Sequence, residues 1–177
     1  MHMRMNRSQT NRSTVRRNAA GYALLEALVA VVVAAVGFIG AARMQTLGMA
    51  LGNSAQSRQK ATLLGYQMTD RIRANRAGFL NIAYNPSTPA ADANACLTSG
   101  TGCGSTELAA ADLREWLNDV AAQLPSGKGA VCTDSTPYST DATPADPKCD
   151  LLGNVIAVKI WWTDNVATTQ FVTMVRP

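Results

Sequence analysis

Histidine is almost absent from this 177-residue chain, whose single copy is His2. With no imidazole beyond residue 2, the body of the chain cannot build a Ser-His or Cys-His pair for nucleophilic catalysis. Four cysteines are present but no C-x-x-C pair, so a structural zinc site lacks its usual ligands. No phosphate loop or dinucleotide fingerprint occurs. The aspartates lie in loops without the spacing of a calcium site. Proline is missing until Pro86, and acids are missing from the first 21 residues. These absences argue against an enzyme: no catalytic residue, no metal ligand and no cofactor is expected. They leave a structural or binding protein with a long uninterrupted N-terminal region.

Charge is unevenly placed. The formal net charge is +4, yet Arg4, Arg7, Arg12, Arg16 and Arg17 all precede Gly21. Beyond Gly21, eleven bases face twelve acids, so that part is close to neutral. The basic character therefore belongs to the N-terminal stretch, and nucleic acid is not an expected partner. Five arginines ahead of an apolar run instead favour keeping that end on the cytoplasmic side of a membrane.

The apolar run is YALLEALVAVVVAAVGFIGAA, residues 22–42, with Glu26 as its only charge. A membrane-spanning helix needs about 20 apolar residues, and such a helix is roughly 30 Å long. The run is apolar all round, unlike a helix that buries one face in a soluble protein. Three readings compete. One is a plain signal anchor. Another is a secretory signal peptide cut among Gly40, Ala41 and Ala42. The third is a leader cut on the cytoplasmic side of the run. Glu26 separates them, because an ionisable group inside a spanning helix costs on the order of 2.5–3.5 kcal/mol at mid-bilayer and is by default functional.

The stretch GYALLE, residues 21–26, following an arginine-rich leader, resembles the processing motif of type IV prepilins. The resemblance implies that a prepilin peptidase cuts after Gly21 and methylates the new amine on Tyr22. The family usually has phenylalanine at that first position; Tyr22 departs from it but keeps the ring. Glu26 then stands at the fifth mature position, where the family's glutamate attracts the N-terminal amine of a neighbouring subunit. The physics agrees, since an amine and a carboxylate attract far more strongly in low dielectric than in water. Leaving either one unpaired there is costly.

No proline interrupts residues 43–76, and Leu64, Met68 and Ile72 recur at a four-residue step. A helix is therefore expected to run from Tyr22 to about Asn75, with its distal half burying one face. Gly37, Gly40, Gly48 and Gly52 weaken its middle, either for close helix packing or for a segment that unwinds on assembly. Residues 61–76, ATLLGYQMTDRIRANR, look like the region after the anchor in type IV pilus modification proteins of the PilV class, which are minor pilins. The string DRIRANR, residues 70–76, is the most telling part. Its charges alone are also what a solvated helix end would carry.

The remaining chain reads as a head. Residues 79–104 are loop-like, and a helix follows, capped by Ser105 or Thr106 and helped by Glu107 in its first turn. Leu113, Trp116, Leu117, Val120 and Leu124 form its apolar face, and Pro125-Ser126-Gly127 ends it. After a short apolar piece at Ala130–Thr133, residues 134–150 hold three prolines and four aspartates and are expected to lie outside, burying little. Residues 154–164 and 166–176 read as a hairpin. Along the first strand, Val155, Ala157, Lys159 and Trp161 alternate with Ile156, Val158, Ile160 and Trp162. Lys159 marks its own set as the exterior. Cys96, Cys103, Cys132 and Cys149 all follow the apolar run, on the side where disulfides persist. Four cysteines allow three pairings, and sequence does not choose among them. The expectation here is nearest neighbours, Cys96–Cys103 and Cys132–Cys149, each stapling a polar loop.

The expected fold is thus α+β and pilin-like. A long N-terminal helix, half membrane-spanning and half amphipathic, packs on a small antiparallel sheet with one additional helix. Its parts are a leader (1–21), the N-terminal helix (22–76, transmembrane at 22–42) and a disulfide-containing head (77–177). The resemblance implies a minor pilin in assembly or initiation of a type IV pilus, incorporated at or near the tip. Its partners would be the prepilin peptidase, other minor pilins, the major pilin and the inner membrane. The head would face the periplasm before reaching the cell surface. Two alternatives are a pseudopilin of a type II secretion machine, which shares the N-terminal motif, and a tip adhesin that binds through its loops.

Overall fold

The structure is a computed structural model and describes residues 19–85, 98, 100, 102–164 and 167–176. Helix α1 runs Ala19–Ala74 without a break, through all four mid-helix glycines. Asn75 separates it from the short helix α2, Arg76–Leu80. Helix α3 spans Ser105–Gln123. Strands β1 (Lys128–Thr133), β2 (Ile156–Asp164) and β3 (Ala167–Val175) form one antiparallel sheet in the order β1-β2-β3. Two compact units divide the chain, Met1–Met49 and Ala50–Pro177. This is the expected α+β arrangement, with the distal part of the long helix, a small antiparallel sheet and the additional helix α3 in the second unit, which also holds the short α2.

The second unit is organised by one apolar cluster. Ala61, Leu64, Met68 and Ile72 come from α1, spaced 3, 4 and 4, so that one stripe faces inward. Leu113, Trp116, Val120 and Leu124 come from α3 and the residue that ends it, with Leu117 packed at the edge. Ile156, Val158, Ile160 and Trp162 come from β2, with Val131 and Val175 from its neighbours. Trp116 joins the elements most directly. Its ring is buried and its indole N–H donates to the Leu64 carbonyl at 2.9 Å, so the one polar atom it buries is satisfied. Glycine admits that ring: a Cβ on Gly129 would stand 2.6 Å from it, and one on Gly65 would stand 2.6 Å from the Phe171 ring.

Two expectations are corrected. Helix α3 is capped by Gly104, not by Ser105 or Thr106, which are already helical. Glu107 reaches back and accepts from the Gly104 N–H at 2.9 Å, satisfying one of the donors a helix start leaves open. The second correction concerns the sheet. The alternation along β2 is right, and the Ile156 set does face the helices. The Lys159 set is not exterior, however. Lys159 and Ala157 are fully buried and Trp161 is nearly so.

What covers that face is the loop expected to lie outside. Lys159 Nζ donates to Asp134 Oδ2 at 2.5 Å and to the Pro147 carbonyl at 2.7 Å. Asp134 is itself fully buried, and its other oxygen accepts from the Thr136 N–H at 2.8 Å. The register explains why the loop lies here. Ala130 pairs with Lys159 and Cys132 with Ala157, so Cys132 projects from the same face as Lys159. Its disulfide to Cys149, across 17 residues, draws the end of the loop back over that face. Hydrogen bonds from Asp134 N–H to the Val155 carbonyl and from Leu151 N–H to the Thr133 carbonyl hold the two loop ends to the strands. Ser135 donates twice to Asp150, once through its N–H at 2.9 Å and once through its hydroxyl. The loop itself stays largely exposed, as expected: among residues 134–150 only Asp134 and Ala142 are buried, and several of its polar groups are bonded internally.

Candidate functional site

The N-terminal unit carries the residues singled out for processing and assembly. Gly21, Tyr22 and Glu26 all lie within α1. A helix rises ~1.5 Å per residue, so Glu26 follows Tyr22 by about one turn on the same side. Tyr22 is 77% exposed and Glu26 is exposed. Among the described residues nothing is bonded to the Glu26 carboxylate. From Leu24 to Leu51 every large apolar side chain is exposed as well. The helix is long and apolar enough to cross a membrane, and none of its most apolar window is buried within the chain. Added methyl groups at Gly37, Gly40, Gly48 and Gly52 would meet nothing, so these positions form a smooth, open track. Water is a poor solvent for such a surface. Its stable surroundings are lipid or other apolar helices.

The cysteines are partly accounted for. Cys132 and Cys149 are joined, with Cα atoms 6.0 Å apart, as expected. Cys103 is also disulfide-bonded. Cys96, its expected partner, lies outside the described residues. No group of histidine, cysteine and acidic side chains that could hold a metal ion occurs among the described residues.

The DRIRANR segment is more than a solvated helix end. Asp70 and Arg73 do form an exposed pair at 3.1 Å, as such an end would. Arg71, however, reaches α3, with Nη1 at 2.8 Å from Glu115 and 3.6 Å from Asp112. Ile72 is in the core. Asn75 is buried and uses its whole amide: it donates to the Tyr84 hydroxyl (3.2 Å) and the Ser105 carbonyl (2.7 Å), and accepts from the Gly78 N–H (3.0 Å). The Tyr84 hydroxyl in turn donates to Asp112 at 2.8 Å. One connected network thus ties the end of α1, the turn after α2 and the start of α3.

Electrostatics follow from that burial. Burial, and then the bond to Asp112, push the Tyr84 hydroxyl well above its ordinary value. Burial also raises the Asp112 carboxyl, against the bond from Tyr84 and the charge of Arg71. For Arg71, burial works against the charge, but Glu115, Asp112 and Asp119 together outweigh it and the group is raised. The network cross-links the end of α1, the turn after α2 and α3. Sequence reasoning singled out the arginines but not Asn75 or Tyr84. Their signal lies in pairing across distance, 9 residues from Asn75 to Tyr84 and 28 from Tyr84 to Asp112. The buried Lys159–Asp134 pair was missed for the same reason.

Comparison with known proteins returns no match: no family model, no curated protein and no solved structure corresponds to this chain.

Proposed function

We propose that this chain is a minor pilin of the PilV class, which takes part in assembly or initiation of a type IV pilus after prepilin processing. The observation that carries this reading is the helix start. Gly21, an aromatic residue and a single carboxylate one turn later open an apolar helix whose surface is bare within the chain, while its distal end is built into an α+β head. On this reading, cleavage after Gly21 leaves a charged amine on Tyr22. Glu26 pairs with such an amine of a neighbouring subunit. The apolar helix leaves lipid for an equally apolar filament core, so the transfer costs little. The prepilin peptidase, the major pilin, other minor pilins and the inner membrane are its partners, and the head passes through the periplasm to the cell surface.

The test is intact-mass and N-terminal peptide analysis of the protein extracted from the membranes of its own host. A chain that begins at Tyr22 with a methylated amine is the expected result. A chain that retains residues 1–21 would make it an ordinary signal anchor, and one cut near Ala42 would make the run a signal peptide. Either outcome removes the mechanism.

A further inference from the structure

The end of α1, α2 and the end of β3 enclose a cleft of about 300 Å³. Its floor is apolar, made by Ile72, Phe79 and Val175. Its remaining lining is three exposed arginines, Arg73, Arg76 and Arg176. No acidic residue lines it. Arg73 is engaged by Asp70. Arg76 and Arg176 form no ion pair or hydrogen bond with any described residue. Arg71, Lys148 and Lys159 are by contrast engaged, by Glu115, Asp146 and Asp134. Free guanidinium groups are thus gathered around a small apolar hollow.

We propose that this cleft docks an acidic segment of a partner protein, one that places an apolar side chain beside its carboxylates. Guanidinium forks match carboxylates in a bidentate geometry, which supplies the polar half of the recognition. The floor, made by Ile72, Phe79 and Val175, gives an apolar side chain a place beside the arginines. A bare inorganic anion would use the arginines and leave the floor empty. This goes beyond the pilus reading and stands or falls separately from it, because the cleft belongs to the head alone.

The test uses the full, oxidised chain in non-ionic detergent and a fluorescein-labelled octapeptide with one leucine flanked by four carboxylates, read by anisotropy. Its comparison probes are the same peptide with amides for the carboxylates and the same peptide with glycine for leucine. Arg76→Glu and Arg176→Glu reverse charge in the cleft, and Arg58→Glu makes the same change elsewhere on α1. All three positions are exposed, so unchanged tryptophan emission and intact disulfides verify the fold. Binding is expected to weaken about tenfold or more for either comparison peptide and for either cleft variant, and to be unchanged by Arg58→Glu. Absence of binding overturns the proposal, as does equal binding of the amide peptide or insensitivity to both cleft variants. Displacement by inorganic phosphate or dihexanoyl phosphatidylglycerol at lower concentration than the peptide would make the cleft an anion or lipid site, which also overturns it.

Discussion

Removing Lys159 leaves Asp134 buried with no cation beside it. Both side chains are fully buried, and among the described residues they form an ion pair only with each other, 2.5 Å apart. Breaking such a pair from one side costs about 3–5 kcal/mol, most of it the penalty of an uncompensated buried charge. Against a total domain stability of roughly 5–15 kcal/mol, that is a large fraction. Lys159→Met and Asp134→Leu should each cost about that much. The double variant should return to within ~1 kcal/mol of the starting protein or exceed it, because an apolar pair avoids desolvation altogether. Denaturant titration read by tryptophan emission is well placed to measure this, since Trp116, Trp161 and Trp162 all lie in the head. Salt should change little, because a pair with no exposed surface is poorly screened. In the native state Lys159 should resist an amine-directed acylating reagent that modifies the exposed Lys128. The reasoning is refuted if either single variant lies within about 0.5 kcal/mol of the parent, or if the double loses the sum of the two.

Three further outcomes are expected. Replacing Cys132 and Cys149 together by serine should lower stability by ~3 kcal/mol, the chain-entropy value for a closed loop of this size, and should make Lys159 reactive to acylation because its cover loosens. Gly129→Ala should cost about 1–3 kcal/mol by overpacking, as its methyl group would stand 2.6 Å from the Trp116 ring; a thermal melt as high as the parent's would contradict that contact. Tyr84 has a raised value in the folded state, so the folded chain keeps a proton that the unfolded chain releases above about pH 10. The stability it contributes is therefore complete below that pH and is lost as pH rises beyond it. Tyr84→Phe should be weaker at pH 8 through its lost hydrogen bonds yet show a flatter decline above about pH 10, and its phenolate absorbance should match the parent's until the parent unfolds.

Much of the fold is legible because local pattern and final burial agree. The Leu64–Met68–Ile72 step, the Leu113–Leu124 face and the alternation along β2 each describe an element that buries one side, and each side is in the core. The second face of the sheet was illegible for a definite reason. Lys159 among β-branched neighbours signals solvent only when nothing of opposite charge is brought to it. Asp134, 25 residues away, is brought by the β1–β2 register and by the Cys132–Cys149 bond. Both are long-range facts. The same holds for Asn75 and Tyr84, ordinary loop residues in sequence that become the hub of the network at the end of α1. Gly104 as a cap was hidden by two better-known capping residues directly after it, and Glu107, reaching back to its N–H, marks the true start.

On the proposed reading, the apolar run of α1 cannot by itself choose how neighbouring subunits align. Burial of Ala, Val and Leu is non-directional, and a helix that is apolar all round gains nearly the same from any register. A single carboxylate breaks that degeneracy. At an effective dielectric of ~20, an amine and a carboxylate about 4 Å apart attract by ~4 kcal/mol. Slipping one helical turn, ~5.4 Å along the axis, lengthens that separation to about 6.7 Å, which cuts the attraction by about 40% and breaks the hydrogen-bonded contact between the two charges in an apolar medium. Register is then set by position of the charge and not by its presence. Moving the carboxylate one turn along the same face, by combining Glu26→Ala with Ala30→Glu, keeps composition, length and hydropathy. Membrane insertion should be unchanged, as measured by alkaline extraction, while incorporation into filaments should drop as far as it does in Glu26→Ala alone. If the displaced carboxylate restores incorporation to the level of the native chain, attraction without registry is sufficient, and the helix must be aligned by contacts of the head instead.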